Sequence, residues 1–356
     1  MRIVITGASG NIGTALLRAL DPGWDVTGVA RRIPAVTAEP YSRAGWVLHD
    51  LARPGADEVL AGVFEGADAV VHLAWAISPG WDDPPMARSN ADGTRHLLAA
   101  AAKAAVPHVV CASSVAAYAP GPREEKVTEA WPCTGIRANA YSRGKAHLET
   151  MLDVFTASHP EVAVARIRPC AVLQRPAASE FTRWVLGPLV PLSLLGARLL
   201  PVPLWDGLRA QAVHADDVAQ ALRLILEQRA SGPFNLAAPD VLDADALAGV
   251  FGGRRVRVGK TFARVAARMA WTAGLQPLHP GWLELADQAA LIDAARAEQI
   301  LGWQPRHTSE ASLAELLAGL REHAAAASEP LAPAPDDLPT RLRALTRMHP
   351  THQSQA

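Results

Sequence analysis

Tyr141 and Lys145 stand four residues apart in Tyr-Ser-Arg-Gly-Lys. On a helix that spacing puts both side chains on one face, about one turn apart. A phenol is a weak base near neutral pH because its ordinary pKa is about 10. A neighbouring ammonium stabilises the phenolate, and the pair can then exchange a proton with a substrate hydroxyl. At the other end of the chain, the short apolar run Arg2–Thr6 leads into Gly7-Ala8-Ser9-Gly10-Asn11-Ile12-Gly13. Gly7 permits a tight turn, Gly10 lets backbone approach a pyrophosphate, and Gly13 lets a helix pack closely on a sheet. The helix start then offers N–H groups and a partial positive charge to the phosphates of a dinucleotide.

Elements that position these residues follow from periodicity. Strands are expected at Arg2–Thr6, Asp25–Ala30, Trp46–His49, Ala69–Ala74, Pro107–Ser113 and Val162–Ile167, separated by helices such as Asn11–Leu20, Ala91–Ala104 and Asn139–Phe155. Continuously apolar strands alternating with helices indicate an α/β fold, a Rossmann-type doubly wound parallel sheet buried on both faces. Residues 1–169 form its dinucleotide-binding domain, which the helix Asp216–Gln228 and the strand Gly232–Leu236 rejoin within 212–237. The remainder, 170–211 and 238–327, reads as a smaller, mostly helical C-terminal substrate-binding part, with helices at Thr261–Ala273 and Ser309–Ala326. From 328 to 356 a Pro/Ala-rich linker and flexible tail are expected, since that composition cannot build a core. Arg341, Arg343 and Arg347 with Leu342 and Leu345 leave a short docking helix as the alternative there.

Strand two ends Val29-Ala30-Arg31-Arg32. An NAD site usually carries a carboxylate at the Ala30 position, where it binds the ribose hydroxyls. Two guanidinium groups suit a 2′-phosphate instead and face no carboxylate in the local sequence. NADP is therefore favoured over NAD, with solvated loop arginines as the competing explanation.

Gly-x-x-Gly-x-x-Gly, Ser113-Ser114-x-x-x-Tyr118, Tyr141-x-x-x-Lys145, Asn90-x-x-Gly-Thr94 and Leu301-Gly-Trp-Gln-Pro305 occur in an order that resembles the extended short-chain dehydrogenase/reductases. Within them the chain is similar to the NAD-dependent epimerase/dehydratase family, from Met1 to about Arg321. The resemblance implies Ser114, Tyr141 and Lys145 as catalytic residues, Ser114 orienting and polarising the substrate oxygen, with Ser113 the alternative. It also implies that Lys145 bonds the nicotinamide ribose, that Asp50-Leu51 meets the adenine, and that Leu73-Ala74 and Pro169 border the nicotinamide. Ser9, Asn11 and Ile12 complete the phosphate turn. Asn90 fits a site residue, a helix cap or a buried structural amide, and Asp216 or Asp217 a helix cap. Trp75 replaces the second small residue of the family's His-Leu-Ala-Ala, and the glycine expected near Gln174 is missing.

Bulk properties exclude other classes. The 356 residues are 49% hydrophobic with net charge −1, which gives no electrostatic case for nucleic acid or an anionic membrane. Prolines and Arg198 interrupt the apolar segment Trp184–Trp205, so a wall on the substrate side is expected rather than a membrane span. Cys111, Cys133 and Cys170 have neither disulfide nor zinc spacing and fit a reducing, cytoplasmic setting; no metal is expected, and His214 lacks partner ligands. The partner is a small molecule, apolar or a sugar nucleotide. A homodimer is the arrangement common among the proteins it resembles. Three activities remain open: hydride exchange with a secondary alcohol or ketone, a cofactor-recycling epimerase, and a non-catalytic nucleotide sensor. No Asp-Glu pair follows Ser114, which disfavours 4,6-dehydration.

Overall fold

The computed structural model describes residues 1–79, 84–181, 201–276 and 278–332. Its main sheet contains β1 (Arg2–Thr6), β2 (Asp25–Ala30), β3 (Gly45–Leu48), β4 (Ala69–His72), β5 (His108–Ala112) and the strands Ala163–Pro169 and Gly232–Leu236. All seven run parallel, in the order β3-β2-β1-β4-β5, then Ala163–Pro169, then Gly232–Leu236 at the edge. This is the doubly wound Rossmann order. Its winding reverses between β1 and β4, which opens a crevice at the carboxyl ends of those strands.

Alternation along each strand feeds two cores. Ile3, Ile5, Val71 and Val110 pack toward α1 (Asn11–Ala19) and the helix Ala215–Gln228. Val4, Val70 and Val109 pack toward α2 (Ala56–Phe64), α3 (Pro84–Lys103) and α4 (Ala140–Ser158). Burying each such side chain contributes about 1.5–3 kcal/mol. Strand boundaries fall within a residue or two of those expected, and β4 stops two residues early, at His72. Leu73 and Ala74 therefore leave the sheet at the rim of the crevice. The sequence reading missed α2, which is short and carries Gly62. It also started α3 too late: the helix begins at Pro84, so Asn90 lies inside it and cannot be a cap.

Beyond Pro169 the chain builds two-stranded pairings, Ala171–Leu173 with Ala212–His214 and Pro201–Leu204 with Arg254–Arg257, and helices that include Lys260–Thr272, Gly281–Gln288 and Ser309–Arg321. The first residues of the expected linker, 328–332, belong to the fold. Ser328 and Leu331 are buried, and Leu331 packs with Leu313, Leu316, Leu317 and Leu320. Most of Trp184–Trp205 and all of the 341–347 docking helix lie outside the described residues. Among the described residues, no helix is long and apolar enough to cross a membrane.

Neither Asp216 nor Asp217 caps its helix. His214 does, its Nδ1 accepting from Asp216 N at 3.1 Å. Asp217 is buried and instead accepts from Arg306 N at 3.0 Å and from His307 N at 3.1 Å, while its carbonyl accepts from Trp303 Nε1 at 2.8 Å. It anchors the Leu-Gly-Trp-Gln-Pro turn to the fold. Asp217→Ala strands those amides and is expected to cost about 1–3 kcal/mol in urea unfolding. Asp216→Ala loses an exposed pair with Arg18 and a 3.8 Å contact with His214, and should cost under about 1 kcal/mol.

Candidate active site

The phosphate turn is built by close approach. Gly7 adopts φ +76°, and a Cβ there would lie 2.5 Å from Ala74 N. A Cβ on Gly13 would lie 2.3 Å from Gly7 O, so α1 can sit this close to β1 only with glycine at that position. At Gly10 the added atom would meet only Gly7 O, at 3.3 Å, and Gly10 is the N-cap of α1 with no capping side chain. The helix start thus faces a cavity of about 750 Å³ that runs from this turn to Tyr141 and on to the C-terminal helices. Every site residue expected from the sequence lines it: Gly7, Ser9, Gly10, Asn11, Ile12, Gly13, Arg31, Arg32, Asp50, Leu51, Leu73, Ala74, Asn90, Ser114, Tyr141, Lys145 and Pro169. The glycine cradle, with its open side toward the cavity, fits a dinucleotide.

Tyr141 and Lys145 project from the start of α4, whose N-cap Asn139 accepts from Ser142 N at 2.8 Å. The Ser114 hydroxyl lies near enough to Tyr141 to favour its phenolate, and Ser114 Oγ accepts from Ala116 N at 3.1 Å. Ser113 is turned the other way. Its hydroxyl is near enough to Glu149 to favour that carboxylate, but outside hydrogen-bond geometry. Lys145 Nζ donates to Ala112 O at 2.8 Å and lies 3.8 Å from the centre of the Trp75 ring. The phenol is not depressed as the sequence suggested. Burial raises Tyr141, the nearby Ser114 hydroxyl offsets part of that, and the Lys145 ammonium is directed at Trp75 and a carbonyl. Burial also pushes Lys145 down to about 7, with Cys111 and Glu149 opposing the shift.

Residues 3–237 match the NAD dependent epimerase/dehydratase family. The chain belongs to that family. It is 29% identical over 324 residues to an uncharacterized protein of Mycobacterium tuberculosis, covering 90% of this chain and 30% of that one. It therefore spans about three tenths of the length of such mycobacterial relatives. A ketoreductase of Stigmatella aurantiaca acting on 4-hydroxy-2-methyl-3-oxo-4-farnesyl-3,4-dihydroquinoline-1-oxide is 30% identical over 176 residues, 48% of this chain and 49% of that one. In fold, the chain is similar to a UDP-glucose-4-epimerase from Stenotrophomonas maltophila with bound NAD and formylated UDP-arabinopyranose. That match has a TM-score of 0.67 and 22% identity, and covers 90% of this chain and 98% of that one.

Other residues of this epimerase/dehydratase-family chain hold the cavity in shape. Asn90 spends both ends of its amide on Ala76, Oδ1 accepting from its N at 2.7 Å and Nδ2 donating to its O at 2.9 Å. His72, held neutral by burial and by Lys145 (its pKa falls to about 3), bridges Thr6 and Thr94 at 2.7 and 3.1 Å. Thr94 Oγ1 donates to Asn90 O, so it must accept from His72 Nε2–H, which leaves Nδ1 to accept from Thr6. Tyr118 packs internally, donating to Asn235 Oδ1 at 2.7 Å.

Sequence reasoning missed three cavity or cradle residues. Trp282 stacks on Tyr141 with ring centres 5.6 Å apart. Its helix approaches so closely that a Cβ on Gly281 would lie 2.1 Å from Ala138 O, a contact between distant segments. Gln174, noticed only for not being glycine, donates from Nε2 to Asn11 Oδ1 at 2.6 Å and to Asn11 O at 2.8 Å, clamping the phosphate turn. Glu329 pairs with Arg32 and lines the cavity, so Arg32 does face a carboxylate after all.

Lys145 makes stability depend on pH. Between about 7 and the usual lysine value of 10.5, the unfolded chain holds a proton that the folded chain releases. Stability therefore rises with pH across that window, and the cost of burying the ammonium is fully present below it. Lys145→Met is expected to melt on the order of 3 °C higher than the parent near about pH 6, an advantage that shrinks as pH approaches 10. Thermal melts across this range check it.

Proposed function

We propose that this chain is an NAD(P)-dependent oxidoreductase that moves a hydride between nicotinamide and a secondary alcohol or ketone. The observation that carries this reading is that Ser114, Tyr141 and Lys145 line the same cavity that also receives the glycine turn. Bound nicotinamide would supply the hydride chemistry. The backbone of the Gly7–Gly13 turn would hold the pyrophosphate, Asp50-Leu51 the adenine side, and Leu73, Ala74 and Pro169 the nicotinamide end. Ser114 would donate to the substrate oxygen and orient it, while Tyr141 gives or takes the hydroxyl proton. Lys145, poised near neutrality by burial, would need only a small rotation from Trp75 to support the phenolate.

Residues 170–211 and 238–327 would form the substrate side. Leu208, Leu247, Trp282, Leu285 and Leu316 line it, which favours an uncharged, partly apolar carbonyl compound. Arg31 and Arg32 are the basis for expecting NADP; Glu329, paired with Arg32, works against it. A cofactor-recycling epimerase is the second reading, favoured by Arg209, which also lines the cavity although its guanidinium donates to Leu208 O at 3.1 Å. A nucleotide sensor would have no use for Ser114, Tyr141 and Lys145 together in the cavity.

Tyr141→Phe is expected to lower turnover of NAD(P)H with a ketone panel by about 10²–10⁴-fold while nucleotide binding persists. Unchanged turnover would remove the assigned role of Tyr141. Nucleotide retained through purification, with no net oxidation of added NAD(P)H, would favour the epimerase instead.

A further inference from the structure

The adenosine end of the cavity joins segments from opposite ends of the chain. β2 delivers Ala30, Arg31 and Arg32, and the turn Glu329–Leu331 delivers Glu329 and Pro330 to the same cavity wall. Arg32 forms an ion pair with Glu329. Two half-exposed side chains would ordinarily mean little. Here, however, the backbone beside Glu329 is fastened on both sides. Ser328 Oγ donates to Ser9 O of the phosphate turn at 2.8 Å, and Ala35 N donates to Ala327 O at 3.0 Å. Leu331 is fully buried among the leucines of Ser309–Arg321, and Ala326 N donates to its carbonyl at 2.9 Å. The carboxylate is carried on an anchored turn, not on a swinging arm.

We propose that Glu329 sets the cofactor preference of this site, supplying from the far end of the chain the carboxylate that β2 lacks at Ala30. This inference rests on the dinucleotide reading above. A 2′-phosphate beside Arg32 would have to compete with Glu329 for the guanidinium and would meet its negative charge at short range. A 2′-hydroxyl carries no such charge and can donate to the carboxylate, as ribose hydroxyls do to acidic residues in NAD sites. Glu329 thus turns an arginine pair that reads as an NADP signature into a site that prefers NAD.

The test is fluorescence titration of the full chain with NADH and with NADPH, a binding readout independent of turnover. The parent is expected to bind NADH more tightly. Glu329→Gln should tighten NADPH by about tenfold and change NADH by under about threefold, the gain shrinking as salt screens the charges. Glu329→Asp keeps the charge and should stay near the parent ratio, which separates electrostatics from damage to the turn. Arg32→Ala added to Glu329→Gln should cancel the gain. A parent that prefers NADPH, or a ratio that Glu329→Gln leaves unchanged, overturns the proposal. Binding of neither nucleotide by the folded parent would instead sink the dinucleotide reading itself.

Discussion

Glu149 fixes the orientation of α4, the helix that carries Tyr141 and Lys145. It lies one turn beyond Lys145 on α4, and Arg168 grips its two oxygens from the neighbouring strand at 2.8 and 2.7 Å. Arg166 adds a third contact at 3.0 Å. Burial would raise the Glu149 carboxyl, yet the arginine fork outweighs burial and holds it below its usual range. Arg168 continues to Tyr118 Oη at 2.9 Å and to Glu129 O at 2.8 Å, and Tyr118 reaches Asn235 on the edge strand. A buried ionic network of this kind is a weak source of net stability but leaves α4 only one satisfied rotation. Tyr141 and Lys145 inherit their direction from it.

The other half of the site is held by exclusion of side chains. Gly7 and Gly13 let β1, α1 and the Leu73-Ala74 rim come nearer than any Cβ would allow. Gln174 and Ser328 then tie that turn to the segment after the strand Ala171–Leu173 and to the C-terminal segment. An ionic lock on one side and backbone contact on the other leave the cavity between them lined largely by apolar groups.

Much of this was legible in the sequence because it is local. Strand runs such as Ala69–Val71 announce themselves by continuous apolar residues, and Tyr141–Lys145 and Gly7–Gly13 carry their geometry in their spacing. What escaped depends on contacts between distant segments. Nothing near Trp282 says that it will stack on a tyrosine more than a hundred residues earlier, and nothing near Arg32 mentions Glu329. Asp217 looked like a cap because caps are local; its true partners, Arg306 and His307, lie in a turn that only the tertiary fold brings close. The tyrosine pKa was misjudged for a related reason. Helical spacing gave the proximity of the ammonium, but not the indole that draws it aside.

The hydrogen bond between Ser328 and Ser9 joins positions separated by 319 residues. On a ribosome adding about 5–20 residues per second, the phosphate turn waits roughly 15–60 s for that partner. Until residue 328 has been made, the cavity therefore stands open on the side of Arg32. The wall that Glu329 adds follows the rest of the described lining in the chain, so the cavity of the nascent chain lacks a negative charge that it later carries.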